Sequence, residues 1–326
     1  MRKLKLQMQI TVDGFVAGPE GQLDWMTWNM DDRLLAFINH LTDTVEDAGV
    51  TRDALFVAIN QNVRGRIFVF ERGAAGTWAS HQLSFPDNLA LGVAATNPHG
   101  SEAFVDLEGL LTPSSVWRAD SHAGAATMVK SRRAQFNASR DTVEQLEATS
   151  TDGTKIPYFV VHPKGMKLDG ANPTILTAYG GFEISSTPNY QDIGGKLWLE
   201  RGGGVWVLAN IRGGGEFGPA WHEAGLKTHR QIIYDDFAAV AKDLIARRIT
   251  SSRRLGIEGG SNGGLLMGVE MTQHPELFHA VDIHVPLLDM LRSSISMPAR
   301  VGWASTAACP IRTSAHSGSA RHRTSS

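Results

Sequence analysis

The sequence predicts a mixed α/β fold, a mostly parallel sheet with helices on both faces, set behind an all-β segment. Three observations predict it. From about residue 149 short apolar runs alternate with helical periodicity, the pattern of units that build a covered parallel sheet. Within that stretch Gly259-Gly260-Ser261-Asn262-Gly263 follows an apolar run at 255–258 and opens an apolar helical run at 264–273, so a sharp turn holds a serine between strand and helix. From about 50 to 130, by contrast, short apolar runs recur between turn residues without a helical period, which argues an all-β unit.

Composition narrows the function classes. The 326 residues are 42% apolar, enough for one large or two moderate cores. Thirty-one basic side chains face thirty-three acidic ones, a net charge of -2, so nothing favours nucleic acid or an anionic membrane as partner. A single cysteine, Cys309, excludes an internal disulfide framework. With no membrane-length apolar run and no signal-peptide core in MRKLKLQMQITVDGF, a soluble cytoplasmic protein is expected.

Taken in order, the chain divides into four segments. Residues 1–47 contain LKLQMQITVDGFVAGPEGQLDWMTW, then Asp31-Asp32 at a helix start and an apolar run at 34–41. This resembles the opening of the dihydrofolate-reductase-like family of pyridine-nucleotide reductases, of which only the first part would be present. Asp13 and Asp24 read as turn residues beside Gly14 and Gly21. No nucleotide site or other cofactor is expected.

Residues 48–148 supply strand candidates at 55–59, 66–70, 78–83, 91–96, 103–107 and 115–117. Residues 149–292 supply them at 156–162, 174–179, 205–209, 255–258 and 280–284. Between the third and fourth of these, Phe237, Val240, Ala241, Leu244 and Ile245 recur at helical spacing. Asp235 and Asp236 suit the start of that helix, and Arg247 and Arg248 its end.

Residues 293–326 lose all periodicity and are expected to be disordered. Their composition has a sharper explanation. Residues 299–308, ARVGWASTAA, are codon-compatible with GASWVGEYGS one base back. A frameshift near Arg292 to Ser294 is therefore expected, leaving 149–292 as a C-terminally truncated domain.

The motifs that carry chemistry lie in the third segment. In G-x-S-x-G the flanking glycines let strand and helix approach, and the serine is held out with its hydroxyl beside the helix N-terminus. Around it stand TILTAYGGF from Thr174, PNY at Pro188, ANIRGGGEFGPAWH from Ala209, YDDF from Tyr234 and GGSNGGLL from Gly259. In order and spacing these resemble the catalytic domain of the prolyl oligopeptidase family of serine peptidases. The resemblance runs from about residue 50 to 292.

It implies an incomplete α/β-hydrolase domain beside the last strands of a β-propeller, one and a half to two blades with open edges. It also implies hydrolysis of short peptides through an acyl-enzyme at Ser261. The oxyanion would be held by the backbone N–H of Asn262 and the hydroxyl of Tyr179, with Phe182 lining the residue pocket. The family's triad Asp and His would follow the serine at positions this chain does not reach, so little or no turnover is expected.

Local substitutes are weaker. His274 ends the helix after the elbow, where a cation suits the dipole. His279 lies in the next loop, Asp282 and His284 alternate on one strand face, and Asp289 follows it; His316 and His322 sit in the tail. None has a motif behind it. Gly213, Gly215 and Gly218 satisfy G-x-G-x-x-G, but Pro219 follows where a dinucleotide site needs a helix to start, and Asp235 and Asp236 open a helix where it needs a strand end. A metal site is not expected. Two alternatives remain: a non-catalytic chimeric remnant and a pyridine-nucleotide-dependent reductase.

Overall fold

The computed structural model describes residues 44–72 and 78–288. Two four-stranded antiparallel sheets come first. β1 (Thr44–Val50), β2 (Ala54–Gln61), β3 (Arg64–Arg72) and β4 (Trp78–Gln82) lie side by side in sequence order. So do β5 (Ala90–Thr96), β6 (Glu102–Gly109), β7 (Thr112–Asp120) and β8 (Thr127–Ser131). Strand alternation decides which faces meet. Phe56, Ala58, Ile67 and Val69 of the first sheet share a buried core with Leu91, Val93, Val105 and Leu107 of the second. The expected one and a half to two blades are thus two blades of four strands packed face to face.

One expectation changes here. β1 pairs with β2 from Thr44 onward, so the boundary set at 47/48 cuts a strand. TVEDAGV has too little apolar alternation to announce itself. Open edges hold for β8, every residue of which is exposed. Among the described residues β1 and β4 of the first blade also pair on one side only, although that blade's second face buries Val57, Ile59 and Phe70.

The third sheet is ordered β14-β13-β11-β12-β10-β9. Its strands are β9 (Asp141–Thr149), β10 (Lys155–Pro163), β11 (Thr174–Thr177), β12 (Val205–Ala209), β13 (Leu255–Gly260) and β14 (Ala280–His284). β11 to β14 pair in parallel, while β10 and β9 run antiparallel at one side. β9 therefore belongs to this sheet and not to the all-β segment, which moves the boundary expected at 148/149 to before Asp141. DTVEQLEAT carries its charges at every third position, Asp141, Glu144 and Glu147, so it shows no strand alternation.

Both faces of this sheet are apolar. On one, Ile156, Tyr158, Val160, Val205, Val207, Leu255 and Ile257 pack against two helices. These are α2 (Gln231–Ala246) and α3 (Asn262–Gln273), which follow the short α1 (Pro219–Ala224). α2 contributes Phe237, Val240, Ala241 and Leu244, and α3 contributes Leu266 and Met267. Burying each large side chain is worth about 1.5–3 kcal/mol. α2 starts at Gln231, four residues before the acids that seemed to open it. Asp236 is fully buried and serves an ion pair instead.

On the other face Phe159 and Val161 meet Leu199 of a π-helical stretch (Gly195–Arg201) and two hairpin tips. Val63 comes from the β2–β3 turn and Leu110 from the β6–β7 turn, one tip from each blade. Val63 takes a left-handed φ of 62°, which a β-branched residue disfavours. Its complete burial in that cluster offsets the strain. Through these tips the blades are seated on the six-stranded sheet.

Candidate active site

The sharp turn read from the sequence is present. β13 ends at Gly260, α3 begins at Asn262, and Ser261 between them has φ 55° and ψ -115°. That conformation costs roughly 1–3 kcal/mol for a non-glycine residue and persists only when its surroundings over-determine it. They do. The Ser261 N–H donates to the His284 carbonyl of the adjacent strand at 3.0 Å, and the Leu265 N–H donates to the Ser261 carbonyl at 3.1 Å. A Cβ on Gly259 would stand 2.6 Å from the Gly263 carbonyl oxygen, and one on Gly263 would stand 2.8 Å from that of Ala178. Neither position admits a side chain without prising helix from sheet. The Ser261 hydroxyl does not cap the helix that it heads.

Tyr179 and Phe182 lie on the loop leaving β11. Gly180, Phe182 and Glu183 all have φ between 56° and 58°, so the loop turns back sharply and brings the two rings to a centroid separation of 6.4 Å. Both rings are half-buried. Asn262 ties this loop to the elbow. Its backbone N–H is the first of α3, aimed where a helix N-terminus favours negative charge. Its fully buried side chain donates from Nδ2 to the Tyr179 carbonyl at 2.6 Å and accepts at Oδ1 from the Arg230 guanidinium. The structure therefore joins Ser261, Asn262 and Tyr179 at one edge of the sheet, with Phe182 beside Tyr179.

The substitute bases are not brought to the serine. His284 pairs through Nε2 with Asp282 at 3.2 Å, both side chains more than half exposed. It meets Ser261 only through its backbone carbonyl. His274 ends α3, and its Nδ1 lies 3.6 Å from Glu276. The His279 N–H donates to the Leu255 carbonyl. Asp289, His316 and His322, with Asp13, Asp24, Cys309 and the proposed frameshift region, lie outside the described residues. The G-x-G-x-x-G segment is a buried loop that ends in Pro219 at the start of α1, and Asp235 lies inside α2. Among the described residues no cluster of His, Cys, Asp or Glu is arranged to hold a metal, and no helix is long and apolar enough to cross a membrane.

Comparison with known proteins decides the lineage. Residues 26–132 match the N-terminal β-propeller domain of prolyl oligopeptidases, and residues 195–308 match the prolyl oligopeptidase family itself. The chain belongs to the prolyl oligopeptidase family. An uncharacterized peptidase of Sinorhizobium fredii is 49% identical over 83% of this chain and 37% of its own length. A prolyl endopeptidase of Elizabethkingia miricola is 38% identical over 68% of this chain and 31% of its own. Among solved structures, a post-proline cleaving enzyme from Rickettsia typhi superposes with a TM-score of 0.69 at 40% identity, covering 77% of this chain and 36% of that one. The chain thus spans about a third of the length of the relatives it matches. The propeller match begins at residue 26, inside the segment read as reductase-like, and the catalytic match runs on to 308, past the boundary set at 292.

Residues of the motif ANIRGGGEFGPAWH bond across to neighbouring elements. Arg212 sits in the loop after β12 and makes a two-point contact with buried Asp236 at 2.6 and 2.8 Å, while also reaching Asp152 in the β9–β10 turn. That guanidinium holds the Asp152 carboxyl well below the usual range. Glu216, at the far end of the same loop, is 1% exposed, and its carboxyl is pushed up to about 7, chiefly by desolvation. One oxygen accepts from the Ser186 N–H at 2.9 Å; the other has no partner among the described residues. The His222 ring bonds the Gly213 carbonyl at 2.7 Å beside the Glu183 N–H, tying the glycine loop to the Tyr179 loop. Arg212, Glu216 and His222 all lie in the motif ANIRGGGEFGPAWH, but their partners Asp236, Asp152, Ser186 and Glu183 lie outside it, so the motif alone does not show these contacts.

Proposed function

We propose that this chain carries a peptidase site of prolyl oligopeptidase type, acting on short peptides through an acyl-enzyme at Ser261. The observation that carries the reading is the strained Ser261 at the head of α3, with the Asn262 N–H next to it and the Tyr179 loop bonded to the same asparagine. The Ser261 oxygen attacks the scissile carbonyl carbon, its proton leaves to a base, and the carbonyl oxygen becomes an anion. The Asn262 N–H and the Tyr179 hydroxyl receive that anion, while Phe182 lines the pocket for the residue before the cut. Electrostatic stabilisation of this kind is worth roughly 2.7–4 kcal/mol per donor.

No imidazole among the described residues hydrogen-bonds the Ser261 hydroxyl, so the second half of the proposal is low turnover by residues 1–326 alone. That observation also supports the competing reading of a non-catalytic remnant. Without an imidazole bonded to the serine, an activated prolyl ester should be hydrolysed only about 10³- to 10⁴-fold faster than in water. No acyl-enzyme burst and no stoichiometric labelling by a fluorophosphonate are expected, and Ser261→Ala should change the remaining hydrolysis little, because it comes from the oxyanion site and binding. Hydrolysis no faster than in water would show that no oxyanion site is formed and favour the remnant. Stoichiometric labelling lost in Ser261→Ala would keep the nucleophile, overturn the low-turnover half, and direct attention to His284.

A further inference from the structure

Arg230 stands immediately before α2, where a cation opposes the helix dipole. Its side chain is half-buried, reaching from there toward the start of α3, where a second helix N-terminus again disfavours positive charge. An arginine held against two helix N-termini needs compensating bonds. The ones it makes are specific: Nη2 donates to the Asn262 Oδ1, and Nε donates to the Tyr234 hydroxyl at 3.0 Å. Asn262 then has one oxygen satisfied by Arg230 and spends its Nδ2–H on the Tyr179 carbonyl.

We infer that Arg230 is a positioning residue for the oxyanion site, acting through the Asn262 side chain to hold the Tyr179 loop and the Ser261 elbow in one geometry. The inference rests on the proposed role of Ser261 for its catalytic meaning, but the linkage itself does not. Without Arg230 the Asn262 amide is free to turn, and the bond to the Tyr179 carbonyl is lost. The loop that follows is strained at two residues, Phe182 and Glu183, so it has reason to relax once released. The same guanidinium places a fixed positive charge close to where negative charge would develop, which a water-poor site makes more effective.

Amide hydrogen exchange on the full chain tests the linkage. Arg230→Met should speed exchange about tenfold at Gly180, Gly181 and Asn262 while leaving β10 and β12 unchanged, and Arg230→Lys should restore part of the protection. Asn262→Asp should show the same local loss, because it keeps the Arg230 contact but cannot donate to the Tyr179 carbonyl. It also decides the matter if Arg230→Met does not fold. Unchanged exchange in this loop, or loss spread equally over the whole sheet, overturns the inference.

A peptidyl-prolyl boronic acid, followed by its tetrahedral boron signal, reads the functional side. A Ser261-dependent adduct should bind about tenfold more weakly in Arg230→Met than in the unmodified chain, and an equal affinity would overturn the positioning role. Absence of any adduct in the unmodified chain agrees with a serine that has no base beside it, and the exchange measurement then decides the linkage.

Discussion

Glu270 is the residue least suited to its surroundings. It lies on α3, 0% exposed, with both carboxyl oxygens lacking a partner among the described residues, and burial pushes its pKa up to about 8. In the unfolded chain the group titrates near 4.5. Between those values the unfolded chain gives up its proton and the folded one keeps it, so stability is highest at low pH and falls as pH rises from about 4.5 to about 8. Each unit of separation corresponds to about 1.4 kcal/mol. Glu216 adds a smaller fall over a window ending near 7. The urea midpoint should therefore drop between pH 5 and 8.5, and Glu270→Gln should flatten that slope and be the more stable form at pH 8.5. An identical slope in the variant would show that the carboxyl finds a charge partner when it ionises. Ser261 and its glycines were legible at this scale because strain of that kind needs particular residue types in adjacent positions. Glu270 reads in the sequence as an ordinary helix-surface acid, and only the packing of α3 against the core makes it an anomaly.

At the scale of elements, the loop after β12, the β9–β10 turn and α2 are locked together by one ion-pair cluster. Arg212 is buried with Asp236 on α2 and half-exposed Asp152, and the Ser150 hydroxyl donates to Asp236 at 2.6 Å. Removing one partner of a buried pair leaves an uncompensated charge, at about 3–5 kcal/mol. Asp236→Ala should lower unfolding stability by that amount in urea titration, whereas Asp152→Ala, losing an exposed partner, should cost under half as much. Equal losses would mean that the pair at Asp236 carries no special weight. The helical spacing of Phe237 to Ile245 marked α2 correctly, but Asp235 and Asp236 looked like a favourable first turn. Asp236 is there to neutralise an arginine 24 residues away. Likewise β9 went unassigned to its sheet because its charges show no strand alternation.

For the molecule as a whole, two blades stand on the six-stranded sheet through Val63 and Leu110, with Gln145 of β9 donating to the Asn62 carbonyl at 2.7 Å. The propeller match from residue 26 overlaps the segment that resembles a reductase opening. That overlap leaves only residues 1–25 to the reductase resemblance alone. Fluorescence titration with reduced pyridine nucleotide is expected to show no saturable binding. Micromolar binding that survives deletion of residues 50–326 would revive the reductase alternative.

The sequence by itself determined the strand-turn-helix that holds Ser261, the alternation that makes a parallel sheet, and the run of short strands that makes blades. Each of these is a local pattern, fixed by backbone sterics or by a period of two or 3.6 residues. Tertiary structure decided what local pattern cannot encode. β9 joined the six-stranded sheet, the hairpin tips became seats for the blades, and Asp236 became a buried counter-charge. Asn262 gave its side chain to Arg230 and Tyr179, contacts that span 32 and 83 residues. Hydrogen bonds and burial depend on which surfaces meet, and only the folded chain specifies those meetings.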